Sequence, residues 1–118
     1  MLDFRKFNSC VHHQPFLPVH REMSLAALRP FRIGSALDLS NAYLQVRLAP
    51  RLWRAVGLAV AGRFFEYMRL PFGYSNSSHE FSRALWPTVR RVSARIHSQI
   101  LFYMEDILLL SQSESQHH

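Results

Sequence analysis

The sequence predicts an α+β fold in which an antiparallel sheet carries helices packed on one face. Short apolar runs bounded by turn residues predict extended segments at residues 33–39, 55–60, 64–70, 99–103 and 107–110. An amphipathic stretch at residues 75–96 predicts a long helix between the two hairpins. The order of strand, hairpin, helix and second hairpin is what leads to the α+β prediction.

The composition of the 118 residues fits one small domain. Hydrophobic residues make up 48% of the chain, which argues against general disorder. The formal net charge is +6, and arginine supplies nearly all of the positive charge because Lys6 is the only lysine. Arginine binds phosphate through a planar fork of donors, so this charge suits a nucleic-acid backbone; a plain solvated basic surface is the alternative.

The cysteine count and the lack of long apolar runs bear on the compartment. Cys10 is the only cysteine, which excludes an internal disulfide and therefore a secreted disulfide scaffold. The sequence shows neither a signal peptide nor a membrane span, so we expect an intracellular protein that has no membrane partner. The sequence does not identify the compartment.

The N-terminal half contains the less regular predicted elements. A short helix is predicted at residues 23–28, inside an otherwise irregular stretch. Residues 33–39 predict a short buried strand that ends near Asp38, followed by a turn at residues 40–43. Alternating apolar and polar side chains at residues 44–48 predict a further extended segment. Gly62 predicts the turn of the first hairpin.

The predicted helix has one apolar stripe and one basic face. The stripe is drawn by apolar residues at spacings of three and four, namely Phe81, Leu85, Val89, Val92 and Ile96. Four arginines lie largely off that stripe, namely Arg83, Arg90, Arg91 and Arg95. Pro87 falls inside the pattern, so we expect it to kink or divide the helix. Among the aromatic residues before the helix, Phe64, Phe65 and Tyr67 are expected in the core or on a strand face.

Acidic side chains stand at the ends of two predicted strands. Of three aspartates in the chain, Asp38 ends a strand and Asp106 lies, after Glu105, at the tip of the second hairpin. Mg²⁺ takes oxygen ligands and binds through one or two carboxylates together with substrate phosphates. Two such ions can assist phosphoryl transfer when acids from separate strands come together. The alternative is that each acid occupies an ordinary exposed turn.

Four motifs, in order, resemble the reverse transcriptases of retroelements, with gypsy-like and related elements nearest. Residues 37–43, Leu-Asp-Leu-Ser-Asn-Ala-Tyr, resemble the first catalytic motif, and residues 102–108, Phe-Tyr-Met-Glu-Asp-Ile-Leu, resemble the Tyr-x-Asp-Asp motif. Residues 70–73, Leu-Pro-Phe-Gly, together with Asn76 and Phe81, are similar to the segment between those motifs. Residues 2–8 are similar to the segment that leads out of the fingers.

The resemblance implies a polymerase palm, which has a ferredoxin-like antiparallel sheet with helices on one face. It divides the chain into a fingers-to-palm segment at 1–32, a palm core at 33–111 and a frayed tail at 112–118. It implies RNA-directed DNA polymerase activity, in which two Mg²⁺ or Mn²⁺ ions assist nucleotidyl transfer onto a primer 3′ end. The implied partners are an RNA or DNA template-primer and a deoxynucleoside triphosphate.

The same resemblance assigns roles to individual residues. The catalytic and metal-binding set is Asp38, Glu105 and Asp106, with the backbone carbonyl of Leu39 as a further metal ligand. The nucleotide-binding set is Leu39, Asn41, Ala42, Tyr43, Phe72 and Gly73, with Tyr43 as the steric gate against a 2′-hydroxyl. The primer and template set is Tyr103, Met104, Arg5 and Asn8. Without the family context, Tyr43 and Phe72 are equally consistent with ordinary core aromatics.

Two departures from the family bear on activity. Glu105 stands where the family has Asp, and a displacement of about 1 Å in a catalytic site can cost on the order of 100-fold in rate. The fingers segment that grips the triphosphate and the thumb fall outside these 118 residues, so we expect little activity unless another chain supplies them. The alternatives are a non-catalytic nucleic-acid-binding remnant and a decayed reading frame that does not fold stably.

Overall fold

The computed structural model of the chain describes residues 3–15 and 28–117. The predicted helix at 23–28 lies, except for its last residue, outside the described residues. In chain order the described elements are α1 (Arg5–Ser9), β1 (Ile33–Asp38), a 3₁₀ helix (Ala42–Gln45), a second 3₁₀ helix (Pro50–Val56), β2 (Gly57–Val60), β3 (Arg63–Glu66), α2 (Ser77–Ser93), β4 (Gln99–Tyr103), β5 (Asp106–Ser111) and α3 (Glu114–His117). This mixture of helices and antiparallel strands confirms the predicted α+β class.

The described residues form two compact units, each made from two stretches of chain. One unit contains residues 3–15 and 41–81, and the other contains residues 28–40 and 82–117. Within residues 3–15 and 28–117, no helix has the length and apolar character needed to cross a membrane.

The second unit is built on a three-stranded antiparallel sheet in the order β1-β5-β4. Because side chains alternate between the faces of a strand, Phe102 and Tyr103 point to opposite faces. Phe102 is buried, and its ring meets Trp86 of α2 at a centroid distance of 5.9 Å. Helix α2 therefore covers the Phe102 face, while Tyr103 and its cross-strand neighbours belong to the other face.

Helix α2 confirms most of the predicted stripe. Phe81 and Val89 are buried, but Val92 is 41% exposed and Ile96 lies beyond the last helical residue. Pro87 does not divide the helix, contrary to the prediction, because α2 is a single element on both sides of it. The four arginines of the basic face are all exposed, as their position off the stripe predicts.

The predicted frayed tail is wrong for residues 114–117, which form α3 and are held by hydrogen bonds. The Ser98 hydroxyl donates to the Gln116 carbonyl at 2.9 Å, so Ser111 must donate the 2.6 Å bond that joins the two serines. Ser111 Oγ then accepts from His117 Nδ1 at 2.8 Å, and Nε2 of the neutral ring accepts from Ser35 at 2.6 Å. This chain of bonds secures α3 on the helix-covered face of the sheet.

Strand β1 occupies the predicted position but is not buried as predicted. Of its six residues only Ile33 is partly buried, and Leu37 is 56% exposed. The reason is its place at the edge of the described sheet, where it pairs with β5 on one side only. An apolar run therefore predicted the strand correctly but could not predict its neighbours.

The first unit contains the predicted hairpin, formed by β2 and β3. Its turn residues Ala61 and Gly62 both have positive φ, at 49° and 74°, which is the pattern of a type I′ turn. Phe64 on β3 is 88% exposed and Phe65 is 49% exposed, so both lie on strand faces and not in the core.

The extended segment predicted at 44–48 is only partly correct. Its first two residues belong to the 3₁₀ helix Ala42–Gln45. The chain becomes extended at Val46, whose carbonyl accepts from the Leu70 N–H at 3.0 Å, and the Leu48 N–H donates to the Met68 carbonyl at 3.0 Å. Alternation of apolar residues could not distinguish the short 3₁₀ turn from a strand.

Candidate functional site

The two predicted metal-binding aspartates are direct neighbours across the sheet. In the register of β1 and β5, Asp38 lies opposite Asp106. The Leu39 N–H donates to the Glu105 carbonyl at 3.0 Å, one residue beyond the aspartates on each strand. Asp38 and Asp106 therefore form a non-hydrogen-bonded pair, the type in which Cα atoms approach to about 4.5 Å and side chains lie closest.

The tight β4–β5 turn positions this pair. Tyr103 lies opposite Asp106 on β4, so only Met104 and Glu105 connect the two strands. Met104 has a φ of 54°, an uncommon conformation for a residue other than glycine. Since Tyr103 and Asp38 flank Asp106 in register, all three side chains belong to the sheet face opposite to Phe102.

The carboxylate pair has the donor chemistry of a divalent-cation site. Asp38 and Asp106 are both exposed, and like charges directly opposite each other destabilise a strand pair unless a cation neutralises them. Mg²⁺ and Mn²⁺ take carboxylate oxygens together with waters and phosphates, so two adjacent carboxylates fit such an ion. Within the described parts of the chain, no group of three or more acidic, histidine or cysteine side chains is arranged to hold a metal. The half-buried Glu105 therefore does not complete a third carboxylate position.

The predicted steric gate, Tyr43, is held on three sides in the first unit. Its ring lies 5.2 Å from that of Phe72 and 5.5 Å from that of Phe81, measured between centroids. Its hydroxyl forms a 2.9 Å hydrogen bond with that of Ser78. Phe72 remains 42% exposed. The two aromatics thus form one partly open surface, which is neither a buried core nor a free side chain.

Asn8, predicted to contact the template, instead holds the loop that contains Phe72 and Gly73. Its side-chain amide donates to the Gly73 carbonyl at 2.9 Å, and its side-chain oxygen accepts from the Ser75 N–H at 3.0 Å. Gly73 has a φ of 88°, which a side chain would disfavour. The Asn8 contacts therefore fix an otherwise adaptable turn.

Arg5, the other predicted template residue, is exposed and paired within α1. Its guanidinium donates to both Asp3 oxygens, with an Nη2–Oδ2 distance of 2.6 Å. Side-chain hydrogen bonding to Arg5 lowers the pKa of Asp3 from its ordinary value, and the same bond raises the pKa of Arg5. Both groups therefore keep their charges at neutral pH, and a phosphate approaching Arg5 would compete with Asp3.

The remaining predicted residues also divide between the two units. Asn41 is exposed in the left-handed conformation, with a φ of 53°, and precedes the 3₁₀ helix that begins at the fully buried Ala42. Tyr103 is 48% exposed and Met104 is partly buried. The structure thus brings Asp38, Leu39, Tyr103, Met104, Glu105 and Asp106 together in the second unit. It brings Asn41, Ala42, Tyr43, Phe72, Gly73 and Asn8 together in the first unit.

Two positioning residues were not assigned a role from the sequence. Ser77, which is 2% exposed, donates to the Pro71 carbonyl at 2.7 Å and so secures the end of the Leu-Pro-Phe-Gly segment. Asn76 is buried, donates to the His12 carbonyl and accepts from the Gln14 N–H, each at 2.9 Å. Asn76 formed part of the motif, but only its buried position between two segments reveals this bridging role.

Comparisons with known proteins agree with the motif pattern. The family model described as reverse transcriptase (RNA-dependent DNA polymerase) matches residues 1–118. The retrovirus-related Pol polyprotein from transposon gypsy of Drosophila melanogaster is 33% identical over 121 residues, which cover 99% of this chain and 11% of that protein. The transposon Tf2-3 polyprotein of Schizosaccharomyces pombe is 27% identical over 118 residues, with 99% and 9% coverage.

A solved structure supports the fold independently. The crystal structure of prototype foamy virus protease-reverse transcriptase CSH mutant matches with a TM-score of 0.73 at 19% identity, covering 99% of this chain and 15% of that one. The chain therefore belongs to the reverse transcriptase family, and it spans about 11% of the length of the gypsy polyprotein.

Proposed function

We propose that this chain carries the metal-binding strands of an RNA-directed DNA polymerase, which adds deoxynucleotides to a primer 3′ end on an RNA or DNA template. The observation that carries the proposal is the direct cross-strand pairing of Asp38 with Asp106. Membership of the reverse transcriptase family supplies the reaction class. The neutralisation that this exposed pair requires is what a divalent cation provides.

In this proposal each residue of the site acts by holding or excluding a group. Asp38 and Asp106, with the carbonyl of Leu39, hold the divalent ions. When bound, two Mg²⁺ or Mn²⁺ ions would stabilise the attacking and leaving oxygens of the displacement. Tyr43 forms the barrier to a 2′-hydroxyl. The Phe72 ring and the Ser78 hydroxyl keep the Tyr43 ring from turning aside.

The residues of the adjoining loops have supporting roles. Asn41 and Ala42 offer backbone N–H groups to the triphosphate, and Phe72 and Gly73 line the incoming nucleotide. Asn8 positions Gly73 through its two amide bonds. Tyr103 and Met104 lie near the primer end, and Arg5 contacts the template by exchanging Asp3 for a phosphate.

Metal binding tests the carboxylate pair directly. Titration of the chain with Mn²⁺, followed by the electron paramagnetic resonance signal of the free ion, should show binding that is lost in Asp38→Asn and in Asp106→Asn. Glu66→Gln removes an acid from the end of β3 and serves as the control, which should bind like the wild type. Unchanged Mn²⁺ binding in both aspartate variants would overturn the assigned site.

We further propose that the isolated 118-residue chain does not extend a primer efficiently. Glu105 keeps the charge of the turn but moves its carboxylate by one methylene, and the other polymerase parts come from further polypeptide. A primer-extension assay with Mg²⁺ or Mn²⁺ should give little product, and Glu105→Asp should increase whatever synthesis is present. Robust synthesis by the isolated wild-type chain would contradict this proposal.

The alternative function is nucleic-acid binding without catalysis, and the net charge of +6 favours it. Binding that weakens with salt but does not depend on Mg²⁺, together with unaltered affinity in Asp106→Asn, would support this alternative. If filter binding at low salt retains neither RNA nor DNA, the alternative fails.

A further inference from the structure

An open groove runs between helix α2 and the start of β4, within the second unit. It has a volume of about 520 Å³ and is lined by Trp86, Val89, Arg90, Ser93, Ala94, Ser98, Gln99 and Ile100. The buried Val89 and the half-buried Ile100 contribute apolar surface. The volume lies in the range of small-molecule sites, although the groove is open to solvent.

The side chains at the groove combine an aromatic surface with positive charge. Trp86 is 36% exposed and is supported by the buried ring of Phe102. On a helix, residues three and seven positions apart share a face, so Arg83, Trp86 and Arg90 follow one another along the same side of α2. Arg83 and Arg90 are about 10.5 Å apart along the helix axis, at 1.5 Å per residue.

The charge of this region has one sign over a long stretch of sequence. Between Glu80 and Glu105 the chain has four arginines and no acidic residue. Both the groove and the arginine side of α2 come from this stretch. An anionic ligand would therefore meet guanidinium groups without a competing carboxylate from the same stretch.

We propose that this groove binds single-stranded nucleic acid, with a base stacked on Trp86 and a neighbouring phosphate held by Arg90. Base stacking on an aromatic ring is possible for every base, and arginine binds phosphate through paired donors, so the site is not sequence-specific. A duplex does not fit this mode because its bases are already stacked and paired. The inference does not rest on the Asp38–Asp106 pair, so loss of metal binding there would leave it standing.

Binding of short oligouridylate and oligothymidylate by the full 118-residue chain tests the groove. Fluorescence anisotropy at several salt concentrations should show that Arg90→Gln reduces the salt slope of log K by about 0.7, the value for one phosphate contact on a single strand. Arg51→Gln is the matched control, because it removes one exposed positive charge from the second 3₁₀ helix and should leave the site intact. Equal weakening by the two variants would mean diffuse attraction and would overturn the proposal.

Tryptophan fluorescence supplies a second, independent readout. A stacked base should quench Trp86, while Trp53, whose indole N–H donates to the Leu48 carbonyl at 3.0 Å, should give an unchanged background. Trp86→Leu retains an apolar side chain against Phe102 and should weaken binding about tenfold and abolish the quenching. Quenching by oligouridylate, by oligothymidylate or by both supports the site. If polyglutamate binds as tightly as the oligonucleotides without quenching, the surface takes acidic polypeptide and the proposal is wrong.

Discussion

The two hairpins of the chain have turns of equal length and opposite character. In the β2–β3 hairpin, Ala61 and Gly62 both adopt positive φ, which matches the right-handed twist of the strands. In the β4–β5 hairpin, Met104 has positive φ and Glu105 does not, the pattern of a type II′ turn, whose first position favours glycine. A side chain in that region costs on the order of 1 kcal/mol.

The difference teaches where the molecule tolerates strain. The β2–β3 hairpin has a relaxed turn and presents the exposed Phe64. The β4–β5 hairpin has the strained turn, and the first residue after it is Asp106, opposite Asp38. Strained backbone is a feature of functional sites, so the observed outlier at Met104 supports the assignment of this hairpin to the site.

The largest expected contrast is between equivalent phenylalanines of the two hairpins. Phe102→Ala should lower the free energy of unfolding by about 3–5 kcal/mol, because it removes a ring that is 97% buried against Trp86 and its neighbours. Phe64→Ala should change it by less than about 0.5 kcal/mol. Urea denaturation measures both, and similar losses would mean that the exposed hairpin is part of the core.

The second contrast concerns acids at the ends of the hairpins. At a Mn²⁺ concentration 100 times the dissociation constant, the wild-type chain should gain about 2.7 kcal/mol of stability. Asp106→Asn should lose that gain and, without metal, should be slightly more stable than the wild type because the repulsion from Asp38 is removed. Glu66→Gln, in the other hairpin, should keep the metal-dependent gain. Thermal melts with and without Mn²⁺ measure these changes, and an undiminished gain in Asp106→Asn would contradict the site.

The third contrast concerns the base of the β4–β5 hairpin. Ser111→Ala should cost about 2 kcal/mol, since it leaves the buried Ser98 hydroxyl and His117 Nδ1 without a partner. Ser115→Ala, on the exposed surface of α3, should cost less than about 0.5 kcal/mol. Denaturant unfolding gives both values. Equal costs would show that the hydrogen-bond chain through Ser111 adds nothing to the docking of α3.

The smallest expected effect sharpens the comparison of the turns. Ala61→Asn should stabilise the chain by about 0.5 kcal/mol, because Asn tolerates positive φ and Asn-Gly is the preferred type I′ sequence. Ala55→Asn, in the second 3₁₀ helix, should give no such gain. A shift in the melting temperature measures the difference, and a loss of stability in Ala61→Asn would mean that the turn is not type I′.

Local pattern predicted most of the secondary structure, and it failed where neighbours decide. The alternation at 44–48 described only the extended part from Val46 onwards, since the 3₁₀ turn before it depends on the backbone at Asn41. The apolar character of 33–39 predicted β1, but its exposure follows from its place at the edge of the described sheet. The tail was predicted as frayed because it is polar, and its order comes from His117 meeting two serines that are distant in sequence.

The sequence by itself determined the family, because ordered motifs with their spacing survive at 33% identity to the gypsy polyprotein. It also identified Asp38 and Asp106 as the carboxylates of interest. Only the tertiary structure decided that these two residues face each other in a non-hydrogen-bonded pair, because register is set by strand pairing between segments far apart in the chain. For the same reason, only the structure showed that Asn8 supports the Gly73 loop and that Trp86 and Arg90 share a groove with β4.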